Sequence, residues 1–302
     1  MGLMTNNIGL LKKTVVSNNN NVFQILEYIN SGKNGAVFKV YCVKGKLKGG
    51  IFALKVQYNL MEKRLMRFYR EVEFLKTHNS NAMVKYCDDG SIKLSNESYP
   101  FVVMPYYKYS LESFIVENYL DFDKKVDIAQ QLLRSLIELD ALKTVHRDIK
   151  PQNILSNGSK FVLADFGLVK NIQDSNVEPC STDICGDISS SMPRYYCSPE
   201  LVEYALGHEK CFRIETNIFQ MGLVLSWVFT GINPLKETND KLDKVEIKSI
   251  PRIEGDDKGE VRQIILQMIS YKIEDRIRPL EAYSRFLIIG NQIERRKGLE
   301  IA

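Results

Sequence analysis

The chain has 302 residues, 44% hydrophobic and 26% charged, proportions of a soluble globular protein built as one large domain or two lobes. A net charge of +4 and a pI near 8.6 are too mildly basic to argue for nucleic acid or an anionic membrane as a partner. The N-terminus lacks the basic-then-apolar pattern of a secretory signal, and Asn6 stands where a myristoylation motif needs Ser or Thr.

Six cysteines (Cys42, Cys87, Cys180, Cys185, Cys197 and Cys211) are scattered without a C-x-x-C pair. Free thiols in a reducing, cytoplasmic compartment are expected. Cys180 and Cys185 lie in a polar stretch without histidine, which argues against zinc.

Residues 1–21 read as a flexible arm ending in the tract Asn18-Asn19-Asn20-Asn21. Val22 to Ile29 reads as a strand. A glycine-bearing stretch follows, Asn30-Ser31-Gly32-Lys33-Asn34-Gly35-Ala36-Val37, and leads into a second strand. Ile51 to Val56 is a short apolar strand that carries Lys55, and a buried lysine needs an acidic partner. Leu60 to His78 has helical periodicity, with Glu71 and Glu73 as its acidic candidates. Strands are expected at Val84–Ile92 and Tyr99–Met104, where Pro105 stops the second. Leu111–Asn118 and Asp121–Leu142 read as helices, the latter with Asp121 as N-cap.

The densest polar stretch comes next, from Val145 to Leu155: His146-Arg147-Asp148-Ile149-Lys150-Pro151-Gln152-Asn153. The five-residue spacing of Asp148 and Asn153 suits a loop better than one helix face. Ten residues after Leu155, behind the apolar run Phe161 to Ala164, stands Asp165-Phe166-Gly167. From there to Ser198-Pro199-Glu200 the chain is polar and without periodicity. The run Ile218 to Phe229 is too short to span a bilayer and contains Gln220 and Ser226, so a buried helix is expected. Gly231 to Glu260 is charged. Val261–Met268 and Leu280–Ile289 read as closing helices, followed by a charged tail over 291–302.

These motifs resemble those of the eukaryotic-type protein kinases. The pattern H-R-D-x-K-x-x-N is matched at every position, as is D-F-G. The resemblance spans about residues 22–290 and implies an α+β, two-lobed fold. Its parts are a small antiparallel sheet with one helix (22–104), a hinge (105–108) and a mainly helical lobe (109–290). It implies transfer of the γ-phosphate of ATP, with Mg2+, to serine or threonine hydroxyls of protein substrates, and autophosphorylation. Phosphoryl transfer needs positioning and charge neutralisation more than covalent chemistry. Asp148 would orient the hydroxyl and Lys150 steady the transferred phosphate, while Asn153 and Asp165 supply the hard oxygens that magnesium prefers.

The resemblance also implies that Lys55 contacts the α- and β-phosphates and pairs with Glu71, Glu73 being the second choice. Gly32 and Gly35 keep two glycine positions of the phosphate loop, and Asn30, tolerant of positive φ, takes the first. Val37, Ala53 and Leu155 would enclose the adenine, with Met104 and the backbone at Tyr106 beside it. Phe166 and Gly167 complete the metal loop. Glu200 would pair with Arg278 to hold the second lobe together. Asn217 replaces an aspartate that anchors the catalytic loop, a change expected to weaken that anchor. Pro193 stands where a threonine is usual, with Ser191 as substitute. Arg147 would receive a phosphate on Ser181, Thr182, Ser189, Ser190 or Ser191. Two rival readings are an ATP-binding scaffold without transferase activity and a small-molecule kinase. The oligomeric state is not legible.

Overall fold

The computed structural model describes residues 13–94, 96–172, 195–209, 213–236 and 245–301. They fall into two compact units divided between Lys108 and Tyr109. The expected α+β order is present. An antiparallel sheet with one helix forms the first unit, and a mainly helical second unit follows.

The first unit holds strands β1 (Thr14–Val16), β2 (Val22–Ser31), β3 (Gly35–Lys44), β4 (Ile51–Gln57), β5 (Asp88–Leu94) and β6 (Glu97–Pro105), and helix α1 (Glu62–Thr77). The sheet order is β1-β2-β3-β4-β6-β5. Alternation sets its two faces. Phe23, Ile25, Phe38, Val40, Leu54, Val56, Phe101 and Val103 fill one apolar core. On the other face of the sheet, Val37 stands opposite Lys55, and Lys55 opposite Val102. One step along, Lys39 stands opposite Ala53, and Ala53 opposite Met104.

The asparagine tract is not an arm. Val15 is buried on the edge strand β1, which pairs with β2. Asp88, fully buried, accepts from Ser17 Oγ at 2.5 Å, Asn19 Nδ2 at 2.9 Å and Asn21 Nδ2 at 2.6 Å. Asn21 Oδ1 in turn accepts from the Leu47 amide at 3.1 Å. Ser17, Asn19 and Asn21, whose polarity reads as solvent-seeking in the sequence, all donate to one buried carboxylate, and Asn18 donates to the neighbouring Asp89. The expectation of a flexible arm therefore fails for residues 13–21; residues 1–12 lie outside the described residues.

In the second unit, β7 (Tyr109–Ser110) leads into α2 (Leu111–Glu117) and α3 (Phe122–Ala141). Asp121 caps α3 as expected, accepting from the Lys124 amide at 2.8 Å. Short strands β8 (Thr144–Val145), β9 (Ile154–Ser156), β10 (Phe161–Leu163) and β11 (Lys170–Asn171) frame the polar loop, β9 pairing with β10 and β8 with β11. Helices α4 (Pro199–Ala205), α5 (Glu215–Thr230), α6 (Glu260–Met268) and α7 (Pro279–Ile301) complete the unit. The helix α5 is buried almost all round, as its uniform apolarity demands, and Gly231 ends it at φ 73°. The predicted charged tail is a continuation of α7. No proline follows Ile289, the helix continues through Gly290 and Gly298, and Lys297 anchors the last turns to Asp123 at 2.8 Å.

Candidate active site

In the first unit, Lys55 projects from β4 and meets both carboxylate oxygens of Glu71 on α1, at 2.9 and 2.8 Å. Glu71 lies on the buried face of α1 with Phe68, Val72 and Leu75, whereas Glu73 is exposed. A buried carboxylate requires a cationic partner, and the lysine supplies it. Val37, Ala53 and Met104 share the Lys55 face of the sheet through the strand register. Beyond β6, the Tyr106 ring carries the Lys39 ammonium at 4.9 Å from its centroid.

The hairpin from β2 to β3 differs from expectation in its reasons. Asn30 is in the ladder, paired with Val37, and is not among the residues at positive φ, so no glycine is needed there. Gly35 is required by the sheet. A Cβ on it would stand 2.1 Å from the Val56 carbonyl oxygen. At Gly32 a side chain would meet open space.

In the second unit, His146 is fully buried. Its Nε2 lies 3.1 Å from the Ala164 carbonyl, and its Nδ1 accepts from the Asp148 amide at 3.3 Å. Those partners assign the proton to Nε2, and burial lowers the imidazole pKa to about 4. Asp148 receives Lys150 Nζ on both oxygens at 2.9 Å. Asn153 Nδ2 donates to Asp148 Oδ2 at 2.7 Å and to the Asp148 carbonyl at 2.9 Å. Burial pushes the Asp148 carboxyl up to about 6; the Lys150 charge opposes the rise and the Asp165 charge adds to it. Asp165 stands at φ 63° and ψ 73°, a left-handed conformation uncommon outside glycine. The backbone before it is tied to the loop by the Ala164 amide donating to the Asn153 carbonyl at 2.8 Å. Phe166 is buried edge-on to His146, with ring centroids 5.0 Å apart. Arg147, also left-handed at φ 69°, donates from Nε to the Leu168 carbonyl at 2.5 Å. Leu155 is half-buried in β9 opposite Val162, and Gly167 forms the short turn after Asp165.

The loop is pinned from α5. Asn217 Oδ1 accepts from the His146 amide at 2.9 Å, and Nδ2 donates to the Thr144 carbonyl at 2.8 Å. The amide both accepts and donates, which a carboxylate cannot do because it has no hydrogen to give, while the accepted bond lacks the charge assistance that a carboxylate would bring. One turn on, Gln220 adds three more contacts to backbone. Its only sequence signal is that it is a polar residue in an apolar helix.

The ion pair that closes the unit uses a different arginine from the one expected. Glu200 meets Arg276 at 2.7 and 2.8 Å, with both side chains buried. Thr216 Oγ1 donates to the same carboxylate at 2.8 Å. The Arg276 guanidinium also donates to the carbonyls of Ser270, Glu215 and Tyr271, and lies 4.8 Å from the Phe219 ring centroid. Arg278, immediately before α7, is exposed and pairs with Glu215 at 3.2 Å. Two arginines two residues apart cannot be separated by spacing; the inner one is selected because it alone reaches acceptors enough to satisfy a buried guanidinium. Ser181, Thr182, Ser189, Ser190, Ser191 and Pro193 lie outside the described residues.

Among the described residues no cluster of three or more His, Cys, Asp or Glu side chains could hold a metal. Magnesium is ordinarily held by one or two protein oxygens together with substrate phosphates. Asn153 and Asp165 fit that pattern. The amide hydrogens of Asn153 are engaged by Asp148, so its Oδ1 is the atom left to serve a cation. No helix among the described residues is long and apolar enough to cross a membrane.

A family model described as protein kinase domain matches residues 23–285. Mitogen-activated protein kinase kinase 7 of Arabidopsis thaliana is 30% identical, over 72% of this chain and 67% of that protein. Serine/threonine-protein kinase A of Synechocystis is also 30% identical, over 72% of this chain and 42% of that protein. An Aurora kinase of Debaryomyces hansenii is 29% identical, over 89% of this chain and 63% of that protein. The chain thus spans roughly two fifths to two thirds of the length of these relatives.

Proposed function

We propose that this chain, which belongs to the protein kinase family, transfers the γ-phosphoryl group of magnesium-bound ATP to serine or threonine hydroxyls of proteins. The observation that carries the reading is the Asp148 carboxylate, held between the Lys150 ammonium and the Asn153 amide. A carboxylate fixed on two sides can orient one hydroxyl and take its proton as the oxygen attacks phosphorus. Lys150, bonded to that carboxylate, would balance negative charge that grows on the transferred group. Asn153 and Asp165 would hold the metal, which when bound neutralises the phosphate oxygens. Lys55, fixed by Glu71, would bind the α- and β-phosphates, with Val37, Ala53, Met104 and Leu155 against the base. Lysine two residues after the catalytic aspartate supports serine and threonine over tyrosine as acceptors.

The purified chain, given labelled ATP and magnesium, should label itself or an added protein. Asp148→Asn and Asp165→Ala should each abolish the label. A wild-type chain that binds ATP and transfers nothing would leave a nucleotide-binding scaffold as the reading.

A further inference from the structure

Asn217 and Gln220 are three residues apart on α5 and so share one face. Asn217 grips the loop before Arg147, through Thr144 and His146. Gln220 grips it after. Its Nε2 donates to the Arg147 carbonyl at 3.3 Å, and its Oε1 accepts from the Ile149 amide at 3.4 Å. The Arg147 carbonyl belongs to the peptide unit that enters Asp148, and the Ile149 N–H to the unit that leaves it. One fully buried side chain thus brackets the residue that carries the carboxylate.

Both loop contacts are long. The short one, at 2.8 Å, runs from Nε2 to the carbonyl of Tyr196, just ahead of the Ser198 cap of α4. That bond fixes the plane of the amide, and with it the donor and acceptor offered to the loop. Arg147 itself is left-handed at φ 69°, a conformation that a non-glycine residue keeps only where its surroundings over-determine it. Asn217 on one side and Gln220 on the other are part of those surroundings, together with the bond from Arg147 Nε to the Leu168 carbonyl.

We propose that Gln220 is a positioning residue for Asp148, holding the peptide units on both sides of it and tying their place to the backbone that enters α4. The role rests on Asp148 being the catalytic carboxylate. A glutamine that only filled the core would contribute to stability and leave turnover per folded molecule unchanged.

The test uses the full chain and two independent readouts. Gln220→Met keeps the length of the side chain and removes all three bonds. Turnover of ATP with casein as acceptor should fall about tenfold to a hundredfold in kcat, with KM for ATP changed less than about twofold. Amide hydrogen exchange at Ile149 should speed up by about tenfold or more while the amides of α5 hold their rates. Unchanged kcat, or a loss of activity no larger than the loss of folded protein, overturns the proposal. If the wild type transfers no phosphate, the reading of Asp148 fails on its own, and exchange still decides: faster Ile149 exchange in Gln220→Met supports the bracket, an unchanged rate overturns it. Should Gln220→Met not fold, the wild type alone is decisive. Its Ile149 amide must be as protected as the core of α5, and exchange at the rate of an open loop rejects the contact.

Discussion

Glu71 and Glu73 are two positions apart on α1, about 200° around the helix axis. One therefore faces the core and the other water, and only the first can serve Lys55. Glu71→Gln should cut phosphate transfer by about tenfold or more and destabilise the protein by about 1–3 kcal/mol, because it removes the Glu71 charge from beside a partly buried ammonium. Glu73→Gln should stay within about 0.5 kcal/mol and keep its activity. Urea unfolding and initial rates on the two variants decide this; equal losses would mean that the Lys55 pair is a bystander.

The Glu200–Arg276 pair gives a pH-dependent expectation at the same scale. Burial raises the Glu200 carboxyl, but the hydrogen bond and charge of Arg276 outweigh it and hold the pKa below its ordinary 4.5. A depressed carboxyl contributes stability that is complete above the ordinary value and is lost as pH falls through the lower, folded-state value. Glu200→Gln leaves the Arg276 guanidinium buried without a counter-charge and should cost about 3–5 kcal/mol near neutral pH. The gap between wild type and variant should narrow as pH drops below 4.5. A gap independent of pH from 7 to 3 in urea titrations would show that the lost term is packing and not charge.

At the scale of elements, most strands and helices were legible because each has one dominant period. The buried side of β3 shows alternation and α3 a stripe; α3 falls where the sequence places it, while β2 runs on to Ser31 and β3 begins at Gly35, both inside the stretch read as a glycine-bearing loop. What failed did so where local polarity was answered by a distant partner. The asparagine tract is bound by Asp88, about seventy residues along the chain. A lone buried aspartate in β5 gives no sign in the sequence of what it binds. The same holds for Arg276 against Arg278, and for Gln220. Asn21→Ala removes both the donor to Asp88 and the acceptor for Leu47 at a buried position, so a loss of about 1–3 kcal/mol is expected. A variant beginning at Val22, the boundary that the sequence suggests, should melt lower still, since it also uncovers the β2 edge and the Val15 site. A melting temperature equal to that of the full chain would restore the reading of an arm.

For the whole molecule, the candidate chemical residues are the most legible in the sequence and two of the residues that hold the loop and close the unit the least. Asp148, Asn153 and Asp165 sit in two neighbouring short motifs, which the sequence displays together, and Lys55 stands out separately as the lysine of an apolar strand. Gln220 and Arg276 act through backbone groups scattered over neighbouring loops and helices, and nothing in their own neighbourhood announces it, whereas Asn217 is found from sequence only because it stands where the family carries an aspartate. The same division yields an expectation for nucleotide binding, which can be read without any acceptor protein. A ligand that binds only the folded state stabilises it by an amount that grows with its concentration, about 2.7 kcal/mol at a hundred times Kd. ATP alone should raise the melting temperature through Lys55 and the apolar residues of its sheet face, and magnesium should add a second increment through Asn153 and Asp165. Lys55→Met should diminish the first increment. Asp165→Ala should keep the first and lose the second, because the oxygen proposed to serve the metal is gone while the bonds between Lys55 and Glu71 remain. Thermal melts of the three proteins with ATP, with and without magnesium, separate the two. A magnesium increment that survives Asp165→Ala would remove Asp165 from the metal site, whatever the outcome of the transfer assay.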